Sequence, residues 1–398
     1  MWKNIKAAPA DSILGLTDAF RNDPNGKKVN LGVGVYKDEE GKTPILKCVK
    51  AAEKILLEKE GTKSYLPISG DPVYAQEVQK LLFGQASEVI DSGRAVTAHA
   101  PGGTGALRVG GDLLKKFHPT AKVWLSKPTW ANHRGIFQTA GFVLADYAYY
   151  NPQTRAVDFD AMTADLQKIP AGDIVLLHAC CHNPSGVDLS AEQWHQVATI
   201  GKEKGWIPFL DFAYQGFGES VEADRCGIIE FAATGVDFFV ASSFSKNFGL
   251  YNERTGALTI VCPDAQDAAV AMSHLKTTIR VIYSNPPAHG GLVVATILSS
   301  EELHAQWLDE LAGMRERIKA MRVALVEGLV ARGVQGDFSS ITRQRGMFSF
   351  SGLSDEIVAW LRTNKSIYVV GGGRINLAGL TRENIDYVCD AIAEALEK

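Results

Sequence analysis

Asp173-Ile174-Val175-Leu176-Leu177-His178 and, further along, Trp206-Ile207-Pro208-Phe209-Leu210-Asp211 are short, β-rich and apolar almost throughout. A strand with one wet face alternates apolar and polar side chains, whereas a strand covered on both faces does not. Both segments therefore read as central strands of a mostly parallel sheet. Between them, Pro184-Ser185-Gly186 makes a turn. Ser190 then stands at an N-cap position with Glu192 in the first turn, and Trp194, Val197 and Ala198 follow at helical spacing. Outward in the chain, Lys122-Val123-Trp124-Leu125-Ser126 and Asp237-Phe238-Phe239-Val240-Ala241 repeat the strand signature. Strands alternating with helices predict an α/β fold whose sheet is covered on both faces.

A late segment carries the clearest helical period. Trp307, Leu308, Leu311, Met314, Ile318, Met321, Leu325 and Leu329 form its apolar stripe, and Gly333 ends the pattern. Arg315, Arg317, Lys319 and Arg322 are expected on its polar face. At about 1.5 Å per residue the helix exceeds ~30 Å, which suits a connector between a large α/β domain and a smaller one, or a long covering helix. Residues 1–15, with Ala7-Ala8-Pro9-Ala10 ahead of Ile13-Leu14, are too few for a core of their own. They read as an arm that packs on something else, such as a second subunit.

Composition narrows the function classes. The 398 residues are 46% hydrophobic and 22% charged, with a formal charge of -4, the profile of a globular protein of two or three domains at roughly 100–200 residues each. No block of like charges is present, so nucleic acid is not the expected partner. No apolar run reaches the roughly 18 residues of a membrane span, and the first residues lack the apolar core of a secretory signal. A cytoplasmic protein is expected. Six irregularly spaced cysteines read as reduced thiols. Cys180-Cys181-His182 lacks the two-residue gap that lets two thiolates face one ion, and no metal is expected.

Three segments carry chemistry. In Ala241-Ser242-Ser243-Phe244-Ser245-Lys246-Asn247-Phe248-Gly249-Leu250-Tyr251-Asn252-Glu253-Arg254, one lysine follows a strand among small and aromatic residues. A lysine is a poor nucleophile at its ordinary pKa, but forms an imine when desolvated or placed near other cations. Spacing alone also fits a solvated surface charge. Ala100-Pro101-Gly102-Gly103-Thr104-Gly105-Ala106-Leu107-Arg108 supplies glycines, a hydroxyl and a fresh helix N-terminus, which is either a phosphate cup or simply a turn. It matches neither the dinucleotide nor the P-loop fingerprint, which counts against a nicotinamide dehydrogenase. In Asp211-Phe212-Ala213-Tyr214 an Asp ends an apolar strand, where open parallel sheets bind ligands, although it could equally cap the next turn.

Taken together these segments resemble the fold-type I aminotransferases dependent on pyridoxal 5'-phosphate, in the subgroup acting on aspartate and aromatic amino acids. The resemblance runs essentially end to end. It is carried also by Asn30-Leu31-Gly32-Val33-Gly34-Val35-Tyr36, His182-Asn183-Pro184-Ser185-Gly186, Tyr283-Ser284-Asn285-Pro286-Pro287-Ala288-His289-Gly290 and Gly373-Arg374-Ile375-Asn376. It implies a large cofactor-binding domain over 45–315, a small α/β domain from 16–44 and 316–398, and the arm over 1–15.

The resemblance also implies roles. Lys246 matches the lysine that carries the cofactor covalently and then acts as general base. Asp211 matches the carboxylate that keeps the pyridine nitrogen protonated, so that the ring is an electron sink. Asn183 and Tyr214 match the groups that hydrogen-bond its phenolic oxygen, and Trp130 the aromatic stacked on the ring. Gly102, Gly103, Thr104, Ser243 and Arg254 match the phosphate shell, to which a second subunit adds Tyr65. Arg374 resembles the arginine that forks onto the substrate α-carboxylate, with Asn183, Trp130 and Gly34 beside it. Arg280 resembles the one, from the partner of a homodimer, that takes the distal carboxylate. Ile13 and Leu14 resemble an apolar plug. The implied reaction is reversible transamination of L-aspartate and 2-oxoglutarate, with an aromatic amino acid aminotransferase as the alternative. Val35, Lys37, Thr43, Thr104 and Asn285 are of the aspartate type, whereas Ser64 stands where that type carries Asn, and Ser185 replaces its Thr.

Overall fold

Seven segments pair into one sheet, and the central ones are mostly apolar because both of their faces are covered, while the edge strand Val143–Ala148 is largely exposed or half-buried. The seven are β1 (Ala95–Pro101), β2 (Lys122–Lys127), β3 (Val143–Ala148), β4 (Ile174–His178), β5 (Ile207–Phe212), β6 (Phe238–Ser243) and β7 (Thr255–Val261). Across the sheet the order is β1-β7-β6-β5-β4-β2-β3. Only β7 runs against its neighbours. The structure, a computed structural model, describes residues 2–7 and 14–397, and of Asn4 and Leu14 the backbone alone. The side chains of Ile13 and Leu14 lie outside that description.

Helices cover the sheet. Helix α1 (Gly102–Phe117) starts directly at the end of β1, and Ala106, Leu107, Val109, Leu113 and Leu114 bury its inner face in the main core. Helix α2 (Ala131–Thr139) follows β2. Helix α3 (Ala191–Lys204) begins with Ser190 as expected, in a reciprocal capping box with Gln193. The sequence strands are displaced by a residue or two from the observed ones, as at 173–178 against Ile174–His178.

Contacts divide the chain into two units, Pro44–Glu316 and Met1–Thr43 with Arg317–Lys398. The larger holds the seven-stranded sheet. In the smaller, β8 (Phe348–Phe350) pairs antiparallel with β9 (Arg374–Asn376), and Val29–Asn30 pairs parallel with Ile367–Tyr368.

The long helix α4 (Glu301–Ala331) has 31 residues, about 46 Å at 1.5 Å per residue. In the larger unit Trp307 stacks on Phe248 at 4.5 Å and donates its indole N–H to Asn247 O. One residue departs from the sequence reading. Arg322, expected on the polar face, is 2% exposed. Its guanidinium is held inside by the carbonyls of Ile341, Gly346 and Phe348.

Candidate active site

The carboxyl ends of β4, β5 and β6 lie side by side, with that of β1 one strand further beyond β7, and the strand register determines which side chains meet there. His178 at the end of β4 is opposite Asp211 on β5, Asp211 is opposite Ala241 on β6, and Ser243 is opposite Gly256 on β7. β7 returns between β6 and β1, so Thr255 faces Pro101 and the Gly102 turn sits next to Ser243.

Asp211 is buried and accepts a 2.9 Å hydrogen bond from His133 Nε2. Burial raises its pKa, but the His133 hydrogen bond, together with the neighbouring rings and Lys246, outweighs it and leaves the carboxyl below its ordinary value. The network continues inward. Thr129 Oγ1 is 2.8 Å from His133 Nδ1 and 3.1 Å from His178 Nε2, and the Asn183 N–H points at His178 Nδ1 at 3.4 Å. Burial pushes His178 down to about 3, so it is neutral with one N–H. One direction then satisfies every member: Asn183 donates to His178, His178 to Thr129, Thr129 to His133, and His133 to Asp211. The chain holds Asp211 ionised by donation from His133 Nε2.

Sequence reasoning did not single out His133, His178 or Thr129. The available signal was positional. Thr129 and His133 closely follow the end of β2, and His178 ends β4.

Lys246 is half-buried three residues beyond β6, its Nζ 4.6 Å from the centroid of the buried Tyr214 ring. Burial, assisted by Arg254 and opposed by Asp211, pushes its amine from 10.5 down to about 8. In cofactor-free protein, labelling of Lys246 by trinitrobenzenesulfonate, read by peptide mass spectrometry, should therefore rise with pH about a midpoint near 8. A midpoint at 10 or above would contradict this environment.

The residues fit a phosphate. No side chain caps the first turn of α1, which leaves its N–H groups to an anion. A Cβ on Gly102 would lie 2.5 Å from Arg254 Nη2, and one on Gly103 would lie 3.0 Å from Ser243 Cβ, so only glycines allow this close approach. Arg254 is steadied by donating to Tyr251 O at 3.0 Å, and Ser243 Oγ by Ser245 Oγ at 3.3 Å. Ser242 Oγ is buried with no partner among the described residues. Thr104 is in the same first turn of α1. Trp130 precedes α2 and meets His133 edge-on at 5.1 Å. A buried acid for a ring nitrogen, an amine of lowered pKa and an anion cup with an arginine together match pyridoxal 5'-phosphate.

The structure thus brings Lys246, Asp211, Tyr214, Asn183, Trp130, Gly102, Gly103, Thr104, Ser243 and Arg254 to one end of the sheet. Tyr65 and Arg280 are not drawn in. Tyr65 is 93% exposed, and Arg280 is exposed at the end of the helix Ala265–Ile282, donating to Ser284 Oγ. Ser64 is likewise exposed, beside Thr62 Oγ1 at 2.9 Å. In the smaller unit Arg374 is 5% exposed, donates to Gly32 O at 2.7 Å and rests on the Phe348 ring at 4.2 Å. A Cβ on Gly34 would meet Phe348 Cζ at 2.7 Å.

Cys180, Cys181 and Asp224 have ligand-type atoms within 4.8 Å of one another. Asp224, however, already accepts N–H bonds from Gly216, Gly218 and Glu219. Burial raises the Cys180 thiol well above its ordinary value, away from the thiolate a metal needs.

A family model described as aminotransferase class I and II matches residues 26–392. An aspartate aminotransferase from Escherichia coli strain K12 is 52% identical over all of both chains. An aromatic-amino-acid aminotransferase from Pseudomonas aeruginosa is 46% identical, over 99% of this chain and 98% of its own. Among solved structures, an aromatic-amino-acid aminotransferase from Burkholderia pseudomallei covalently bound to pyridoxal phosphate superposes with a TM-score of 0.97 at 52% identity, over 100% of this chain and 99% of that one.

Proposed function

The chain belongs to the class I and II aminotransferases, and from that membership we propose that it catalyses reversible transamination between L-aspartate and 2-oxoglutarate, giving oxaloacetate and L-glutamate by a ping-pong route. The observation that carries the reading is the half-buried Lys246, its amine lowered to about 8, at the same sheet end as ionised Asp211 and an uncapped helix start.

Pyridoxal 5'-phosphate, when bound, supplies an electron sink for the carbanion left at the substrate α-carbon. Asp211, its negative charge fixed by His133, would keep a proton on the pyridine nitrogen. Gly102, Gly103, Thr104, Ser243 and Arg254 would take the phosphate, Asn183 and Tyr214 would donate to the phenolic oxygen, and Trp130 would cover the ring. Lys246 would hold the cofactor, and its amine, once free and neutral, would be the base that takes the substrate α-proton at Nζ. A pKa near 8 leaves a usable fraction of free amine at neutral pH, which a value of 10.5 would not. Arg374 takes the α-carboxylate in a bidentate fork, with Gly34 beside it.

Arg280 takes the distal carboxylate and Tyr65 completes the phosphate shell, each in the site of a second copy. Their exposure in a single chain supports that arrangement and a homodimer. A monomer at working concentration by analytical ultracentrifugation would contradict it. A cytoplasmic location agrees with the six free cysteines. Among the described residues, no helix is long and apolar enough to cross a membrane.

One comparison favours a broader, aromatic specificity: the solved aromatic relative is as similar, at 52%, as the aspartate-named one from E. coli. Arg280 argues for the dicarboxylate, since leaving its charge unpaired once a second copy covers it would cost about 3–5 kcal/mol, or about two to three and a half decades. We expect kcat/KM with aspartate to exceed that with phenylalanine by about two decades. Arg280→Leu should remove about that factor for aspartate and leave phenylalanine within about threefold. Near-equal values in the unaltered enzyme would establish the aromatic reading instead.

A further inference from the structure

One buried charge has no part in the steps above. Arg322 projects from α4 into the smaller unit, 2% exposed, and donates to Ile341 O at 3.0 Å, Gly346 O at 2.7 Å and Phe348 O at 2.7 Å. Burying a guanidinium is costly, and a hydrophobic side chain of similar volume often serves stability as well or better. Its retention therefore calls for an account beyond stability, and the geometry supplies one. Phe348 heads β8, opposite Asn376 on β9, and its ring carries the Arg374 guanidinium carbon at 4.2 Å. The same ring approaches Gly34 so closely that a Cβ there would clash at 2.7 Å. Fixing the Phe348 carbonyl thus fixes the platform of the arginine assigned to the substrate α-carboxylate. A planar group stacked on a ring is held in orientation as well as in place.

We propose that Arg322 is a positioning residue for substrate: it acts through Phe348 to orient Arg374, and so sets the affinity for the substrate α-carboxylate. The proposal rests on the role of Arg374 given above. The test uses purified holoenzyme with aspartate and 2-oxoglutarate. If the unaltered enzyme does not turn these over, the functional reading fails before Arg322 is tested. Given turnover, Arg322→Met should raise KM for both substrates by about tenfold, hold kcat within about threefold, and leave the cofactor dissociation constant unchanged, because the cofactor residues belong to the other unit. Phe348→Leu should also raise KM, and in that background Arg322→Met should add less than about twofold, since both changes act on one platform.

A purely structural Arg322 would instead lower the melting temperature without a KM effect, or act additively with Phe348→Leu, and either result overturns the proposal. Should Arg322→Met not fold, Arg322→Lys carries the test. It keeps the charge but not the fork, and must raise KM by at least about threefold at unchanged cofactor affinity. An unaltered KM in Arg322→Lys overturns the proposal.

Discussion

Lys246→Ala should fold, bind the cofactor non-covalently and lose turnover by at least about two to four decades, the range that a positioned acid–base group contributes. Stability separates this loss from misfolding. The amine is pushed from 10.5 down to about 8 in the folded chain, so below pH 8 the fold carries a proton on Nζ at a cost that the unfolded chain does not bear. That cost fades as pH rises from about 8 towards 10.5, and over that interval stability of the cofactor-free protein should increase with pH. Lys246→Ala removes the charged group altogether. Its cofactor-free form should therefore be no less stable than the unaltered protein at pH 7, and should not show the Lys246 contribution to the rise above pH 8. Activity lost without stability lost identifies a chemical role. Turnover within tenfold of the unaltered enzyme would refute the assignment.

Arg374→Leu is expected to have the next largest effect. The guanidinium is 5% exposed, anchored to Gly32 O and seated on Phe348. Its orientation is thus set before substrate arrives, and little side-chain entropy remains to be lost on binding. Removing one partner of a buried, hydrogen-bonded charge pair costs about 2–5 kcal/mol, or roughly 1.5 to 3.5 decades in kcat/KM for every substrate that bears an α-carboxylate. Arg280→Leu, by contrast, should weaken only substrates with a second carboxylate. Steady-state kinetics with aspartate and phenylalanine distinguishes the two. Loss for aspartate alone in Arg374→Leu would mean that the arginines have been given each other's roles.

Much of this was legible from local pattern. Strands covered on both faces announce themselves as unbroken apolar runs, and Asp211 stands out because a carboxylate ending such a run needs a partner. Ser190 and the stripe from Trp307 to Leu329 mark helices by rules that involve only near neighbours. What was not legible depends on residues far apart in the chain. His133 meets Asp211 only because β2, β4 and β5 are adjacent in the sheet. The antiparallel return of β7 between β1 and β6, which lays the Gly102 turn beside Ser243, has no local sign either. Arg322 was misplaced for the same reason. On α4 alone it belongs with its polar neighbours, but the carbonyls that draw it inside come from residues 341, 346 and 348, and their approach to α4 has no local sign. Tyr65 and Arg280 show the opposite limit, since their assigned work is in another copy and a single chain leaves them exposed.

In the proposed mechanism Lys246 is the residue that holds the cofactor and yields to an amino acid. Borohydride reduction of the holoenzyme, followed by peptide mass spectrometry, tests this directly. One phosphopyridoxyl adduct is expected, on Lys246, lost when the enzyme is first incubated with aspartate and largely retained after the same exposure to phenylalanine. An adduct on another lysine, or equal protection by the two amino acids, would contradict that mechanism.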